Sequence, residues 1–317
     1  MDGVRIGSFP PGARLPAGAD ARRRLLDRAV AAGVDHLCVG DHVSFFVGAG
    51  VDGLVAATAL LAAQEQLPVY VGLYLLPLRH PVPVARQVAT IAELAPGRLT
   101  LGVGIGGEDR HEVEICGVDP RTRGRRMDEC LAVVRALLSG EPVTFHGAFV
   151  DLDDALILPA PDPPVRLVVG GRSAAAVARA ARLGDGWLGI WVSPARFAGA
   201  VAEIEEQALA AGRADVRFEH ALNVWCGFGP TAGRARAALA DAMEAFYHIP
   251  FDAFERYSPA GSPEAVAAFL APYAQAGCRC FNLIPCAADE AAAIAGAGEV
   301  ARILGAPASP GAATGTR

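Results

Sequence analysis

Short apolar runs alternate along the chain with longer stretches that are rich in alanine and arginine and have helical periodicity. Eight of the runs predict strands: residues 4–9, 34–40, 68–75, 98–104, 165–169, 186–191, 218–228 and 278–284. Each run precedes a predicted helix: 19–33, 53–66, 82–97, 122–139, 173–183, 194–211, 231–246 and 289–304. The first of these helices has apolar residues at 25, 26, 29 and 30, which is the spacing of an amphipathic helix.

The eight strand–helix alternations predict an α/β protein of the (β/α)8 TIM-barrel class. Nearly continuous apolar strands are typical of a parallel sheet that is covered by helices, and eight of them fit a closed barrel better than an open sheet. Two insertions interrupt the rhythm, one at 143–164 before strand five and one at 247–265 between strands seven and eight. In the second, Ser262 is a predicted N-cap. We expect one domain over 1–304 and a disordered tail over 305–317.

Composition narrows the function classes. The 317 residues are 52% hydrophobic, carry a net charge of −6, and have arginine as every one of their 28 basic residues. No basic patch stands out, so a nucleic-acid partner is not expected. The beginning of the chain has no signal-peptide core, and the apolar span 55–78 is interrupted by polar residues at 64–66, so no membrane partner is expected either. We expect a cytoplasmic protein with reduced cysteines and a small-molecule substrate.

The stretch RLTLGVGIGGEDRHE, residues 98–112, contains G-x-G-x-x-G at Gly102, Gly104 and Gly107. In a dinucleotide-binding fold a helix would begin directly after these glycines, but a polar segment and another turn follow here. In a barrel, cofactor residues lie at the carboxyl ends of strands, where glycine lets a flat ligand approach the backbone. Gly104, Ile105 and Gly106 are therefore predicted cofactor-binding residues.

Two further strand ends carry candidate chemistry. Asp41 and His42 follow strand two, and an unperturbed histidine, which titrates near pH ~6.5, can act in either protonation state. The alternative is a capping aspartate beside an exposed histidine. Gly170, Gly171, Arg172 and Ser173 follow strand five and open a helix, which combines free N–H groups, a hydroxyl and a cation into an anion site. The alternative there is an N-cap by Ser173 alone.

Four segments in a fixed order give the chain a family resemblance: VGDH, RLTLGVGIG, GVDPRTRGRRMDE and VVGGRSAAAVARAARLGDGW. The chain resembles the bacterial-luciferase-like flavin and deazaflavin oxidoreductases, particularly the branch that depends on coenzyme F420. The resemblance covers residues 4–304. It implies an enzyme that transfers a hydride between F420 and a small organic substrate.

The resemblance also implies roles for individual residues. It assigns Asp41 and His42 to catalysis beside the deazaflavin ring, and Gly170, Gly171, Arg172 and Ser173 to the phosphate of the cofactor. Tyr74 and Leu75 would support the back of the ring, with a non-prolyl cis peptide bond between them. Relatives that oxidise a sugar phosphate have an acidic residue and a tryptophan where this chain has Gly107 and Phe46. The acidic residue of this chain, Glu108, comes one position later, so a sugar-phosphate substrate is not expected from the resemblance.

Alternatives remain at this stage. An FMN-dependent monooxygenase that uses oxygen and a separate flavin reductase has the same fold, and a non-catalytic barrel could bind a phosphorylated ligand. Arg79, Arg110 and Arg172 could line a path for the acidic tail of F420, which favours F420 over FMN. We expect no metal, because no histidine pair has ligand spacing. The apolar helices 53–66 and 82–95 suggest a homodimer.

Overall fold

The eight predicted strands form a closed parallel barrel in the computed structural model, which describes residues 3–11, 15–46, 48–107 and 109–305. The barrel strands are β1 (Arg5–Ser8), β2 (His36–Val39), β5 (Val69–Leu75), β6 (Leu99–Gly104), β9 (Arg166–Gly170), β10 (Gly186–Ile190), β11 (His220–Phe228) and β13 (Cys278–Cys286). Their order is β10-β9-β6-β5-β2-β1-β13-β11, and pairing of β10 with β11 closes the ring. The predicted TIM barrel is confirmed.

Helices cover the outside of the barrel. They are α1 (Ala19–Ala32), α2 (Gly53–Ala63), α3 (Pro81–Leu94), α4 (Arg110–Ile115), α5 (Arg123–Leu137), α6 (Ala174–Leu183), α7 (Pro194–Ala210), α8 (Ala232–Tyr247), α9 (Pro263–Gln275) and α10 (Glu290–Gly305). Side chains at Asp52, Ser173, Ser193 and Thr231 accept backbone N–H groups at four of their starts. These caps satisfy donors that a helix start leaves free, which fixes where each helix begins.

The remaining strands are short additions to the barrel. The insertion before β9 is an antiparallel hairpin of β7 (Val143–His146) and β8 (Asp151–Ala155). The insertion after α8 contains two 3-10 turns and β12 (Ala260–Gly261), and Ser262 caps α9 as expected. A second hairpin, β3 (His42–Phe45) with β4 (Ala49–Val51), was not anticipated by the sequence pattern. The predicted disordered tail, apart from Gly305 at the end of α10, lies outside the described residues.

No helix within the described ranges is long and apolar enough to cross a membrane. The core consists of the strand faces and the inner faces of the helices, with fully buried side chains such as Leu101, Val103, Val169 and Phe281. Because strands of this kind are buried on both faces, their sequences are nearly continuous apolar runs. That property is why the eight strands could be located from the sequence.

Candidate active site

One cavity of about 1000 Å³ opens at the carboxyl ends of the barrel strands. Ten of the predicted site residues line it: Asp41, His42, Leu75, Gly104, Ile105, Gly106, Gly170, Gly171, Arg172 and Ser173. Gly107, Phe46 and Trp191 line it as well. A cavity of this size is large enough for a cofactor head group together with a small substrate. Glu108 lies outside the described residues.

Tyr74 is the predicted site residue that the structure places elsewhere. Its side chain is buried, and the Arg79 guanidinium lies 4.4 Å from its ring centroid. Tyr74 is not among the lining residues, because alternate residues of a strand face opposite sides and its neighbours Leu73 and Leu75 take the cavity side. The expected non-prolyl cis bond is present in β5, but it joins Gly72 to Leu73 rather than Tyr74 to Leu75.

Leu73 forms the floor of the cavity, and sequence reasoning missed it. A Cβ atom on Gly104 would lie 2.7 Å from the Leu73 Cδ1 atom, and one on Gly170 would overlap the same side chain. The glycines at the ends of β6 and β9 therefore make room for Leu73, and both of them also line the cavity. A flat ligand would rest on the Leu73 side chain that these glycines accommodate.

A buried chain of polar side chains supports this floor from inside the barrel. The Nε2 atom of His36 lies 2.7 Å from Asn282 Oδ1, Asn282 donates to Asn223 at 2.9 Å, and Asn223 donates to the Gly72 carbonyl at 3.2 Å. Burial lowers the pKa of His36 to about 4, so its ring is neutral near pH 7. A neutral ring fits a hydrogen-bonded chain without a buried charge. These hydrogen bonds between side chains thereby connect β2, β13 and β11 to the backbone beside Leu73.

His42 is held by a residue that the sequence analysis did not identify, Glu112. The Nδ1 atom of His42 lies 3.1 Å from Glu112 Oε2, and Glu112 also accepts the backbone N–H groups of Val43 and Ser44 at 2.7 and 3.1 Å. Burial acts to raise the pKa of Glu112, but the hydrogen bonds from His42, Ser44 and Val43 lower it below its ordinary value. The carboxylate is therefore ionised at neutral pH.

An ionised carboxylate only accepts hydrogen bonds, so the proton of a neutral His42 ring lies on Nδ1. The Nε2 atom then carries a lone pair, and among the described residues it has no hydrogen-bond partner. The His42 side chain is 26% exposed and lines the cavity. This arrangement gives the cavity one group that can accept a proton and return it.

Asp41 has a different environment from its neighbour. Its carboxylate is fully buried, accepts the backbone N–H groups of Gly53 and Leu75 at 2.9 and 2.8 Å, and pairs with Arg79 at 2.6 Å. With these contacts the carboxylate ties the end of β2 to the start of α2 and to β5. The geometry favours a positioning role, and the catalytic role expected for Asp41 stays a prediction.

The start of α6 forms the wall of the cavity next to Gly170. Ser173 accepts the N–H group of Ala176 at 3.2 Å, which is the N-cap contact that the sequence left as an alternative. Trp187 donates to the Gly171 carbonyl at 2.7 Å and so fixes the turn before the helix. Arg172 is exposed, with its guanidinium 5.4 Å from the Trp191 ring centroid. The cap leaves backbone N–H groups and one cation beside the cavity, which suits an anionic group.

The described part of the chain contains no cluster of three histidine, cysteine or acidic side chains that could hold a metal ion. Arg79, one of three arginines expected to guide an acidic tail, is only 18% exposed and is bonded to Asp41 and Asp52. It is therefore not free to bind a ligand. Arg110 is 66% exposed and lies 3.8 Å from Glu114, and Arg172 also faces solvent.

Comparison with known proteins places this chain in a family. The model of the luciferase-like monooxygenases matches residues 6–299, which is most of the chain. The chain belongs to the luciferase-like monooxygenase family. This confirms the family expected from the four segments and agrees with the barrel and the position of the cavity.

Within the luciferase-like family, named relatives match about half of the chain. An F420-dependent glucose-6-phosphate dehydrogenase of Beutenbergia cavernae is 37% identical over 164 residues, 50% of this chain and 48% of that protein. An F420-dependent hydroxymycolic acid dehydrogenase of Mycobacterium tuberculosis is 31% identical over 163 residues, 50% of this chain and 44% of that protein. The chain thus spans about half the length of the curated relatives that it matches.

Solved structures of luciferase-like proteins share the whole barrel. An F420-dependent secondary alcohol dehydrogenase, solved with an F420–acetone adduct, has a TM-score of 0.81 at 23% identity. The match covers 94% of this chain and 98% of that chain. At this identity the likeness concerns the fold.

Proposed function

We propose that this luciferase-like protein is an oxidoreductase that transfers a hydride between coenzyme F420 and a small organic substrate. The observation that carries the proposal is the His42–Glu112 pair, which presents an unpartnered imidazole nitrogen to a cavity at the strand ends. The names of the partial relatives as F420-dependent dehydrogenases support the choice of cofactor. A non-catalytic barrel would have no use for an oriented proton acceptor in its cavity.

The residues of the cavity fit such a cofactor. Leu73 offers an apolar surface for a flat ring, and the start of α6 with Arg172 and Ser173 offers N–H donors and a cation for a phosphate. Gly106 lies next to Leu75, and Ile105 lines the same cavity. When bound, F420 supplies the hydride chemistry, and the protein supplies orientation and electrostatics.

The contributions of the chain follow from its contacts. His42, oriented by Glu112, would take the proton of a substrate hydroxyl on Nε2 or return one to a carbonyl oxygen. The aromatic side chains around the cavity would exclude water, and Asp41 with Arg79 would hold β2 and β5 in register beneath it. Substrate binding would bring the reacting carbon close to the cofactor, so that the transfer takes place within one complex and needs no encounter of two molecules in solution.

The second candidate is an FMN-dependent monooxygenase, which the description of the family favours. It would require oxygen and a separate flavin reductase. Both cofactors have a three-ring head and a ribityl phosphate, so the Gly171–Ser173 turn suits either. F420 carries in addition a long acidic tail, for which the exposed Arg110 and Arg172 remain as partners.

Equilibrium titration of the purified protein with F420 and with FMN tests the proposal. We expect tighter binding of F420, with most of the difference lost between about 0.1 and 1 M salt, since the Debye length falls from ~10 to ~3 Å. Combining Arg172→Glu with Ser173→Ala should weaken F420 binding by at least about 2 kcal/mol, because charged hydrogen bonds contribute roughly 1.5–3 kcal/mol each.

Arg302→Glu is the matched control, since it makes the same charge change on the exposed side of α10, away from the cavity. It should leave F420 binding unchanged. Equal or tighter binding of FMN, together with oxygen consumption by the reduced FMN complex, would establish the monooxygenase instead. Unchanged F420 binding in the double variant would show that Ser173 acts only as the N-cap of α6 and that this turn does not bind the cofactor.

A homodimer and a cytoplasmic location stay predictions. Val55 on α2 is 67% exposed and Leu94 on α3 is 70% exposed, so both expected interface helices carry a large apolar side chain on their surface. Such side chains would be buried by a partner barrel that packs on these helices.

A further inference from the structure

The exposed guanidinium of Arg172 lies over an aromatic ring. It is 5.4 Å from the ring centroid of Trp191, and both residues line the cavity. Within the described part of the chain, no hydrogen bond or ion pair holds this guanidinium. A cation over an indole face is attracted by the negative potential of the ring. Among the described residues, the Trp191 ring is therefore the contact that gives Arg172 a preferred position.

The Trp191 ring is itself held by buried aromatic residues. Its centroid lies 4.7 Å from that of Phe254 and 5.1 Å from that of Tyr247, and both neighbours are buried. The hydroxyl oxygen of Tyr247 accepts the indole N–H of Trp225 on β11 at 3.2 Å. Phe254 belongs to the insertion at 247–265, so this insertion supports the ring that Arg172 contacts.

The backbone at Trp191 has an uncommon conformation. Trp191 directly follows β10, and its φ of 50° lies in the left-handed region, which bulky side chains rarely adopt. Such a conformation costs free energy and persists where the surrounding structure determines it, which is frequent at ligand sites. The aromatic neighbours of Trp191 provide that surrounding structure, and the conformation indicates that the position of this ring matters to the cavity.

A fixed guanidinium binds an anion more tightly than a freely moving one. A long arginine side chain loses rotamer freedom when it is ordered, and a ligand that must order it binds more weakly. Contact with a rigid ring orders the arginine before the ligand arrives. Arg110 has no such ring and lies 3.8 Å from the exposed Glu114.

We infer that Trp191 is a positioning residue, whose ring holds the Arg172 guanidinium in place for the phosphate of the cofactor. This inference rests on the proposed function, which uses Arg172 at the start of α6. It makes cofactor affinity depend on the insertion at 247–265 as well, because Phe254 supports the Trp191 ring.

A double-mutant cycle of Trp191→Leu and Arg172→Ala, measured by equilibrium titration with F420, tests this inference. In the otherwise unaltered protein, Trp191→Leu should weaken F420 binding about three- to tenfold, which corresponds to the cost of ordering one long side chain. In Arg172→Ala, the same substitution should change F420 binding by less than about 1.5-fold, because no guanidinium is left to position.

Trp191→Phe is the conservative variant, since it keeps an aromatic face that attracts the cation less strongly. It should weaken F420 binding less than Trp191→Leu does, and its effect should likewise disappear in Arg172→Ala. The cycle with Trp191→Phe decides the question if leucine at this position prevents folding.

The salt dependence of F420 binding is a second readout. F420 affinity should fall less steeply with salt in Trp191→Leu than in the unaltered protein, because an ionic contact is weakened. Loss of an apolar contact alone would leave the salt dependence unchanged. Tyr257→Leu is the matched control, because the Arg256 guanidinium lies 4.5 Å from the Tyr257 ring centroid and neither residue lines the cavity. It should leave F420 binding unchanged.

Two results would overturn the inference while the proposed function stands. One is unchanged F420 binding in the Trp191 variants, and the other is the same loss of binding with and without Arg172, which would show that the ring only fills space. Failure of the unaltered protein to bind F420 would overturn the proposed function and this inference with it.

Discussion

At the scale of the residue, the contact between His42 and Glu112 determines which imidazole nitrogen is left free to accept a proton in the cavity. Glu112 binds Nδ1 and two backbone N–H groups of β3, so one carboxylate both orients the ring and anchors the hairpin that carries it. Glu112 is therefore a positioning residue for the proposed reaction.

Glu112→Gln tests that role. The variant keeps the shape of the side chain but replaces an acceptor-only carboxylate by an amide that can also donate, so the His42 ring is no longer held in one tautomer. We expect kcat for substrate oxidation to fall about tenfold or more, with little change in KM.

Glu114→Gln serves as the control for this substitution, because Glu114 lies on the same short helix with a side chain that is 51% exposed. A merely structural role for Glu112 would raise KM and weaken F420 binding together with the loss of kcat. An unchanged kcat, or a change in KM as large as that in kcat, would therefore contradict the positioning role.

The sequence predicted His42 and missed Glu112 for a physical reason. His42 directly follows an apolar strand, and strand ends of a barrel meet at one mouth. Glu112 is 70 residues further along the chain, in a polar segment whose spacing gives no sign of a partner. Only the closed barrel brings β2 and the segment after β6 together.

At the scale of the element, the end of β5 shapes the cavity through Leu73. The strands β6 and β9 end in glycines because a larger residue would overlap the Leu73 side chain. The glycines are evident in the sequence, but the sequence does not show that the side chain they accommodate is that of Leu73. The same limitation led to the assignment of Tyr74 to the site, since the side that each residue of β5 faces depends on a register shift between Val71 and Tyr74.

Gly170→Ala tests the account of the floor. The new Cβ would push the end of the Leu73 side chain from its place, and overpacking of this kind costs about 1–3 kcal/mol. Because Leu73 is the floor of the cavity, we expect F420 binding to weaken about tenfold or more in a titration, and Leu73→Ala in the same chain to restore part of it.

Gly199→Ala on α7 is the matched control, since nothing lies within 4 Å of its added Cβ. It should leave F420 binding unchanged and raise thermal stability slightly, as alanine favours a helix over glycine. Undiminished F420 binding in Gly170→Ala would show that the floor tolerates the change and that Leu73 does not support the cofactor.

Elements differed in how far the sequence could predict them. The eight barrel strands are buried on both faces, and several helices begin at side-chain caps, so the local pattern was sufficient for these elements. The β3–β4 hairpin and α4 depend on tertiary contacts: Asp109 accepts the Phe46 N–H group at 2.7 Å, and Glu112 accepts those of Val43 and Ser44. Short polar elements of this kind have no periodic pattern of their own.

At the scale of the whole molecule, closure of the barrel assembles the site from distant parts of the chain. His42 follows β2, Leu73 lies on β5, and the Gly171–Ser173 turn follows β9. The aromatic lining residues Phe45, Trp225 and Phe246 lie on β3, β11 and α8. The family match over residues 6–299 agrees with a site that uses the whole barrel. The central claim is that this assembled cavity selects F420 with its phosphate at the start of α6.

A crystal structure of the protein grown with equal concentrations of F420 and FMN tests that claim most directly. We expect F420 in the cavity, with its ring against Leu73 and beside His42, and its phosphate about 3 Å from the backbone N–H groups at the start of α6. FMN in that position, or F420 with its phosphate away from Gly171–Ser173, would contradict the account.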